Sequence, residues 1–195
     1  VDDNARALLL AGALTALDLP GSPRISDRLT ATYAAFVQHA FNRDTGRFRN
    51  FMSFDRRWLE PEGSEDSHGR TLWALGVTTR DDATEARRDW AAALFAEALP
   101  VVEGFGSPRA WAFTLLGLVP YCETHPGNVA AAQLRLRLAE RLVALLHQVE
   151  TPDWVWFEEG LAYDNARICE ALLACGRAAE VPAYVEAGLR TLGWL

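Results

Sequence analysis

Two segments of this chain gather side chains able to hold and activate a polar ligand. The first runs Arg49-Asn50-Phe51-Met52-Ser53-Phe54-Asp55-Arg56-Arg57-Trp58, then Glu60, Glu62 and Gly63-Ser64-Glu65-Asp66-Ser67-His68-Gly69-Arg70. The second reads Asp153-Trp154-Val155-Trp156-Phe157-Glu158-Glu159, then Tyr163-Asp164-Asn165. Carboxylates, amides, guanidinium groups and flat aromatics together suit a pyranose ring, whose C–H face packs on an aromatic and whose paired hydroxyls bind polar groups. Cleaving a glycosidic bond further requires two carboxyl groups in different environments. On this reading Asp66 and Asp164 form the candidate acid/base pair, with Glu65 and Glu158 as substitutes. Arg6, Arg70 and Arg167 orient those carboxylates, Asn50 and Asn165 hold hydroxyls, and Trp154 and Trp156 stack. Asp3, Asn4, Arg57, Trp58, His68 and Tyr163 complete the candidate binding set, His68 because imidazole titrates near neutrality.

Each assignment has a structural alternative. Asp3 and Asp164 also fit helix N-caps, with the arginine three residues on closing an ion pair in the first turn. Trp58, Trp154 and Trp156 sit in polar loops, where they serve either as platforms for a ligand or as apolar anchors of the loop itself. Trp73, Trp90, Trp111 and Trp194 fall within helical runs and read as core. His68 serves equally as a buried structural histidine. Arg56-Arg57 is either a solvated pair or, beside Trp58, a binder of anionic groups. His39, His125 and His147 read as structural.

The elements that must position these residues are announced by a string occurring twice, Asp3-Asn4-Ala5-Arg6 and Asp164-Asn165-Ala166-Arg167, each opening an apolar run that ends near glycine. Degenerate copies stand at Ser67-His68-Gly69-Arg70 and Ser107-Pro108-Arg109-Ala110. A spacing of about 40 to 65 residues is that of a helical array. Helices apolar nearly all round are predicted at 4–18, 67–77, 108–122 and 165–176, and such helices must be surrounded. Amphipathic helices are predicted between and after them, at 25–41, 83–99, 128–149 and 182–195. A small hairpin is predicted at 47–53, following Asp44-Thr45-Gly46.

Inner helices alternating with outer ones describe a concentric helical barrel or a curved solenoid. Inner-to-outer connections are short and carry turns such as Pro20-Gly21-Ser22-Pro23 and Pro126-Gly127. Long connections, 42–66 and 150–164, lead from outer to inner helices, so the end where inner helices begin is the expected working face. Every copy of the repeated string lies at that end.

Composition bounds the rest. The chain has 195 residues, half of them hydrophobic, and a formal charge of -7, most simply one domain over 1–195. An acidic balance argues against nucleic acid and anionic membranes as partners. With no apolar stretch of about 18 residues and no basic leader, a cytoplasmic location is expected. Cys122, Cys169 and Cys175 read as buried thiols in a reducing compartment. No Cys/His spacing matches a zinc site, and neither metal nor cofactor is expected.

The strings opening at Val1, Phe48 and Gly63, with Trp154-Val155-Trp156-Phe157-Glu158 and Tyr163-Asp164-Asn165-Ala166-Arg167, resemble a bacterial family of alpha/alpha-toroid proteins. Its members are often labelled glycosyltransferase and belong with the six-hairpin glycosidase-like superfamily. The resemblance implies an all-α toroid with a carbohydrate-related cleft and an oligosaccharide or other sugar ligand. A full toroid has six hairpins, whereas four are counted here, so a fragment of the barrel is expected. Its open edges would favour self-association. Hydrolysis or glycosyl transfer at the inner-helix rim is the leading functional expectation, and a non-catalytic carbohydrate- or protein-binding scaffold is the alternative. Terpene-cyclase and lanthionine-cyclase toroids are disfavoured, because neither a diphosphate-binding aspartate motif nor a zinc-ligand set is present.

Overall fold

Helix α1 (Asp2–Ala16) opens the chain and α2 (Ser22–Ala40) follows it. The computed structural model describes residues 1–17 and 22–195, with side chains at all of these except 16 and 22–26. The Pro20-Gly21 part of the first expected turn lies outside the described residues, as does residue 18 of the first predicted helix. A two-stranded hairpin pairs β1 (Phe41–Asn42) with β2 (Arg47–Phe48), placing Phe41 opposite Phe48. Thus the hairpin turns at Asp44-Thr45-Gly46, with Gly46 at φ 69°, but regular pairing stops at Phe48. The predicted strand to residue 53 is realised only as an isolated bridge between Met52 and Trp58.

Six more helices follow: α3 (Glu65–Asp81), α4 (Glu85–Ala98), α5 (Pro108–Thr124), α6 (Val129–Val149), α7 (Ala166–Ala178) and α8 (Pro182–Trp194). A 3-10 turn over Pro100–Gly104, absent from the sequence expectation, links α4 to α5. Among the described residues the fold is therefore all-α apart from the hairpin. Each odd helix packs against the even helix that follows it, and the odd helices touch one another in the order α1, α3, α5, α7. Of the four helices expected to be surrounded, α3 and α5 are; α1 and α7, at the ends of the row, are buried on one side only, and α1 leaves Leu10 exposed. On α5 every residue from Ala112 to Cys122 is buried, whereas buried positions of α6 recur one-sidedly at Ala131, Leu134, Leu138, Leu142 and Leu146. None of the described helices is long and apolar enough to cross a membrane, and the three cysteines are free and buried.

The tightest packing joins α3 to α5. A Cβ on Gly76 would stand 2.1 Å from the Gly117 carbonyl oxygen, one on Gly117 2.4 Å from that of Leu72, and one on Gly69 2.6 Å from that of Ala110. The two backbones are in contact, which only glycine permits. Substitution must push the helices apart, so Gly76→Ala is expected to lower unfolding free energy by about 3 kcal/mol. By contrast Gly12, whose added Cβ meets nothing within 4 Å, gains up to about 1 kcal/mol on becoming alanine, from helix propensity. Urea midpoints of the two variants check the contrast.

Candidate functional site

The site is built where the odd helices begin. Arg70, in the second turn of α3, has a side chain only 4% exposed and lies with its guanidinium 4.0 Å from the centre of the Phe113 ring. Its Nη1 donates to Asp164 Oδ2 at 2.8 Å. Its Nε stands 2.7 Å from Asp2 Oδ1, close enough for an ion pair but not aligned as a hydrogen bond. Asp2 also faces Arg6 at 3.0 Å, so one buried guanidinium ties the start of α1 to the residue pair preceding α7.

A second buried arginine does similar work one helix along. Arg109, at the start of α5, donates from Nη1 to both carboxylate oxygens of Glu158 (2.8 and 2.6 Å), from Nε to the Tyr163 carbonyl (2.7 Å) and from Nη2 to Asn165 Oδ1 (2.9 Å). Together the two arginines clamp the long 150–165 connection onto the rim. Asp164 is held in the left-handed region at φ 55°, which aspartate tolerates better than most residues. It is not an N-cap: α7 starts at Ala166 behind Asn165. Asp3 is not one either, since it lies inside α1 behind Val1. The first-turn ion pairs do form, Asp3 to Arg6 at 3.6 Å and Asp164 to Arg167 at 3.8 Å.

Of the four candidate catalytic carboxylates, two are spent on structure. Glu65 Oε2 accepts from the backbone N–H groups of Gly106 and Ser107 at 2.9 and 2.7 Å, capping the approach to α5. Glu158 is fully occupied by Arg109. Asp66 accepts hydrogen bonds from two hydroxyls, Ser107 Oγ on one oxygen and Tyr163 OH on the other. Asp164 and Asp66 are thereby brought together through adjacent residues, Tyr163 and Asp164, of one loop.

Arg6, Arg70, Arg167, Trp73, Tyr163 and Asp164 line a single open cleft of about 620 Å³. The arginines of three copies of the repeated string therefore surround one mouth. Arg167 lies 4.8 Å from the Trp73 ring and pairs with Glu170, while Trp73 stacks parallel to Phe113 at 6.2 Å. Trp73, read from sequence as core, is half-buried and forms the aromatic wall.

Several expected ligand groups lie elsewhere. Trp156 has no exposed surface and packs on Phe157 and Trp194. Trp154 donates its indole N–H to the Glu158 carbonyl at 2.8 Å and meets Trp194 edge-on. Both anchor the second loop. Trp58 packs against Phe36, His39 and Arg49, and the exposed Arg57 pairs with Asp55. Asn50 accepts from the Val1 nitrogen and the Asp2 N–H at 2.7 and 3.0 Å, serving the start of α1. Asn165 is consumed by Arg109 and by the Ala162 backbone. Asn4 is half-buried and takes no part in these hydrogen bonds, and Asp3 is almost fully exposed.

His68 is the clearest correction. Its ring is wholly buried, accepts from the Phe48 N–H at Nδ1 (3.3 Å) and donates from Nε2 to the Ala98 carbonyl (2.9 Å). Desolvation pushes its pKa from 6.5 down to about 3, partly offset by the Ala98 bond. A neutral structural histidine results, with no access to substrate.

Sequence reasoning missed Asp2, Ser107 and Arg109 as site residues. The repeated string itself held a signal for Arg109, since each copy supplies a rim arginine. Comparison of the chain with protein-family models, with curated proteins and with solved structures finds no match.

Two outcomes follow from this geometry. Because the folded His68 pKa lies below the unfolded one, the unfolded chain takes up the proton first. The stability contributed by neutral His68 is complete above about pH 6.5 and is lost as pH falls toward about 3, by up to roughly 1.4 kcal/mol per pH unit. Chemical denaturation across that window, with His68→Gln as the non-titrating control, reads the slope. Arg109→Met leaves Glu158 without its cation and is expected to cost about 2 to 4 kcal/mol, visible as a lowered urea midpoint and faster proteolysis within 150–165.

Proposed function

We propose that this chain is a carbohydrate-active domain of the alpha/alpha-toroid kind, binding a sugar at the mouth and cleaving or transferring a glycosidic bond there. The observation that carries the reading is the convergence of Arg6, Arg70 and Arg167 with Asp66, Asp164 and Tyr163 at one rim. Four hairpins in sequential contact through their odd helices support the toroid, and the exposed Leu10 and Leu17 of the first hairpin and Leu189 and Leu192 of the last supply edges on which further hairpins or a second copy would pack.

The chemistry assigns different tasks to two carboxyl groups. Asp66, which contacts no cation, is assigned the proton transfer with the leaving oxygen, Tyr163 and Ser107 fixing its orientation. Asp164, against the Arg70 guanidinium, is the standing anion opposite the positive charge that develops on the sugar ring. Arg6 and Arg167 offer forked donors for vicinal hydroxyls. Glu65 and Glu158 are not retained as substitutes, because Glu65 Oε2 holds the backbone before α5 and Glu158 accepts from Arg109 through both oxygens.

A binding-only scaffold is favoured by one observation: the carboxylates of the mouth all have protein partners. Calorimetric screening of sugars, followed by hydrolysis and phosphorolysis assays on those that bind, separates the readings. Asp66→Asn and Asp164→Asn are each expected to lower kcat by about 100-fold or more with KM little changed. Unchanged turnover in both removes the assignment; sugar binding without turnover leaves the scaffold, and absence of sugar binding removes both.

A further inference from the structure

Beneath the mouth the molecule is hollow. Leu9, Ala13 and Trp73 line the mouth and also line a second, more enclosed cavity of about 340 Å³ among α1, α2 and α3, together with Leu8, Gly12 and Val77. The two spaces are neighbours, sharing those three residues as lining. The polar groups on the inner wall are already engaged. Thr78 donates its hydroxyl to the Ala74 carbonyl at 2.8 Å, and Asp81 and Asp82, at the far end of α3, pair with Arg80 and Arg87 at 2.7 and 2.9 Å. What remains is an apolar slot with a polar entrance and a charged floor.

Native interiors hold few voids larger than a water molecule, and an apolar void neither holds water well nor resists an apolar guest. The slot is also open by residue choice: α1 places Gly12 on its wall, where even one added carbon would meet nothing within 4 Å. Its volume falls in the ordinary range for small-molecule sites. We infer that the slot takes an unbranched alkyl chain belonging to an amphiphilic ligand whose polar head sits in the mouth, so that the substrate class is an alkyl-linked sugar. The identity of the head rests on the reading of the mouth as a sugar site; the slot itself does not. The chain enters between Ala13 and Trp73 and runs toward the paired carboxylates of Asp81 and Asp82, which also border a smaller space of about 180 Å³ lined by Asp27 and Arg87.

The test is calorimetry of the intact chain with hexyl, heptyl and octyl maltosides below their micellar concentrations, beside maltose and 1-octanol as the two separate halves. Affinity is expected to rise about fourfold per added methylene, and 1-octanol is expected to bind alone. Gly12→Leu fills the slot and abolishes both effects, while maltose binding stays as in the parent chain. Gly12→Ala, which places one carbon in open space, weakens octyl maltoside alone. Octanol binding that is lost in Gly12→Leu, with no contribution from maltose, upholds the slot and overturns the sugar reading. A flat chain-length series with no octanol binding overturns the slot, as does a gradient that persists undiminished in Gly12→Leu.

Discussion

Where Gly76 lies against Gly117, two helix backbones touch with no side chain between them, and that contact sets the spacing of the residues on the rim above. Arg70 projects from the start of α3 and Arg109 from the start of α5, so the distance between these helices decides whether both guanidinium groups reach one loop. Any residue larger than glycine would widen the gap and move the two arginines relative to each other. Packing in the interior and polar geometry at the rim are thus one problem. The sequence solves both with three glycines along the α3–α5 contact, Gly69 against Ala110 and Gly76 against Gly117.

The arginines themselves are nearly out of water, Arg70 with 4% and Arg109 with 6% of the side chain exposed. A guanidinium withdrawn from solvent is tolerated only when its donors find acceptors and its charge finds an opposite. Residues far away in the chain supply the opposite charges, Asp2 and Asp164 for Arg70 and Glu158 for Arg109; Arg109 also finds acceptors in Asn165 and the Tyr163 carbonyl, whereas Arg70 hydrogen-bonds Asp164 and meets Asp2 through charge alone. The aromatic ring of Phe113 under Arg70 adds a face that accepts the cation. The 150–165 connection needs no regular secondary structure because these contacts, together with the Trp154 and Trp156 anchors, fix it from both ends.

Much of this was legible from the residues alone. Hydrophobic periodicity placed the eight described helices to within a few residues, but it did not separate α1 and α7, which are half-wet, from the surrounded α3 and α5. The duplicated string placed three arginines at one end, because equivalent positions in successive repeats share an orientation. Failures arose wherever the deciding contact was distant. Trp156 and His68 sit in polar, ligand-like sequence, yet their burial depends on α8 and on the carbonyl of Ala98. Glu65 reads as a free acid until the backbone before α5 is seen to reach it. Asp2 was passed over in favour of its neighbour Asp3, a choice decided by helical phase: on α1 only the earlier residue turns toward Arg70.

Stacked hairpins that touch only their neighbours tend to melt piecemeal from the ends, each unit contributing its own stability plus one interface. Arg70 breaks that pattern. Standing on the second hairpin, it binds a carboxylate of the first and one that immediately precedes the fourth, reaching across the Phe113 ring of α5. A coupling that passes over one unit makes the outermost members depend on each other, so fraying at either flank weakens the opposite one and the array moves toward all-or-none behaviour.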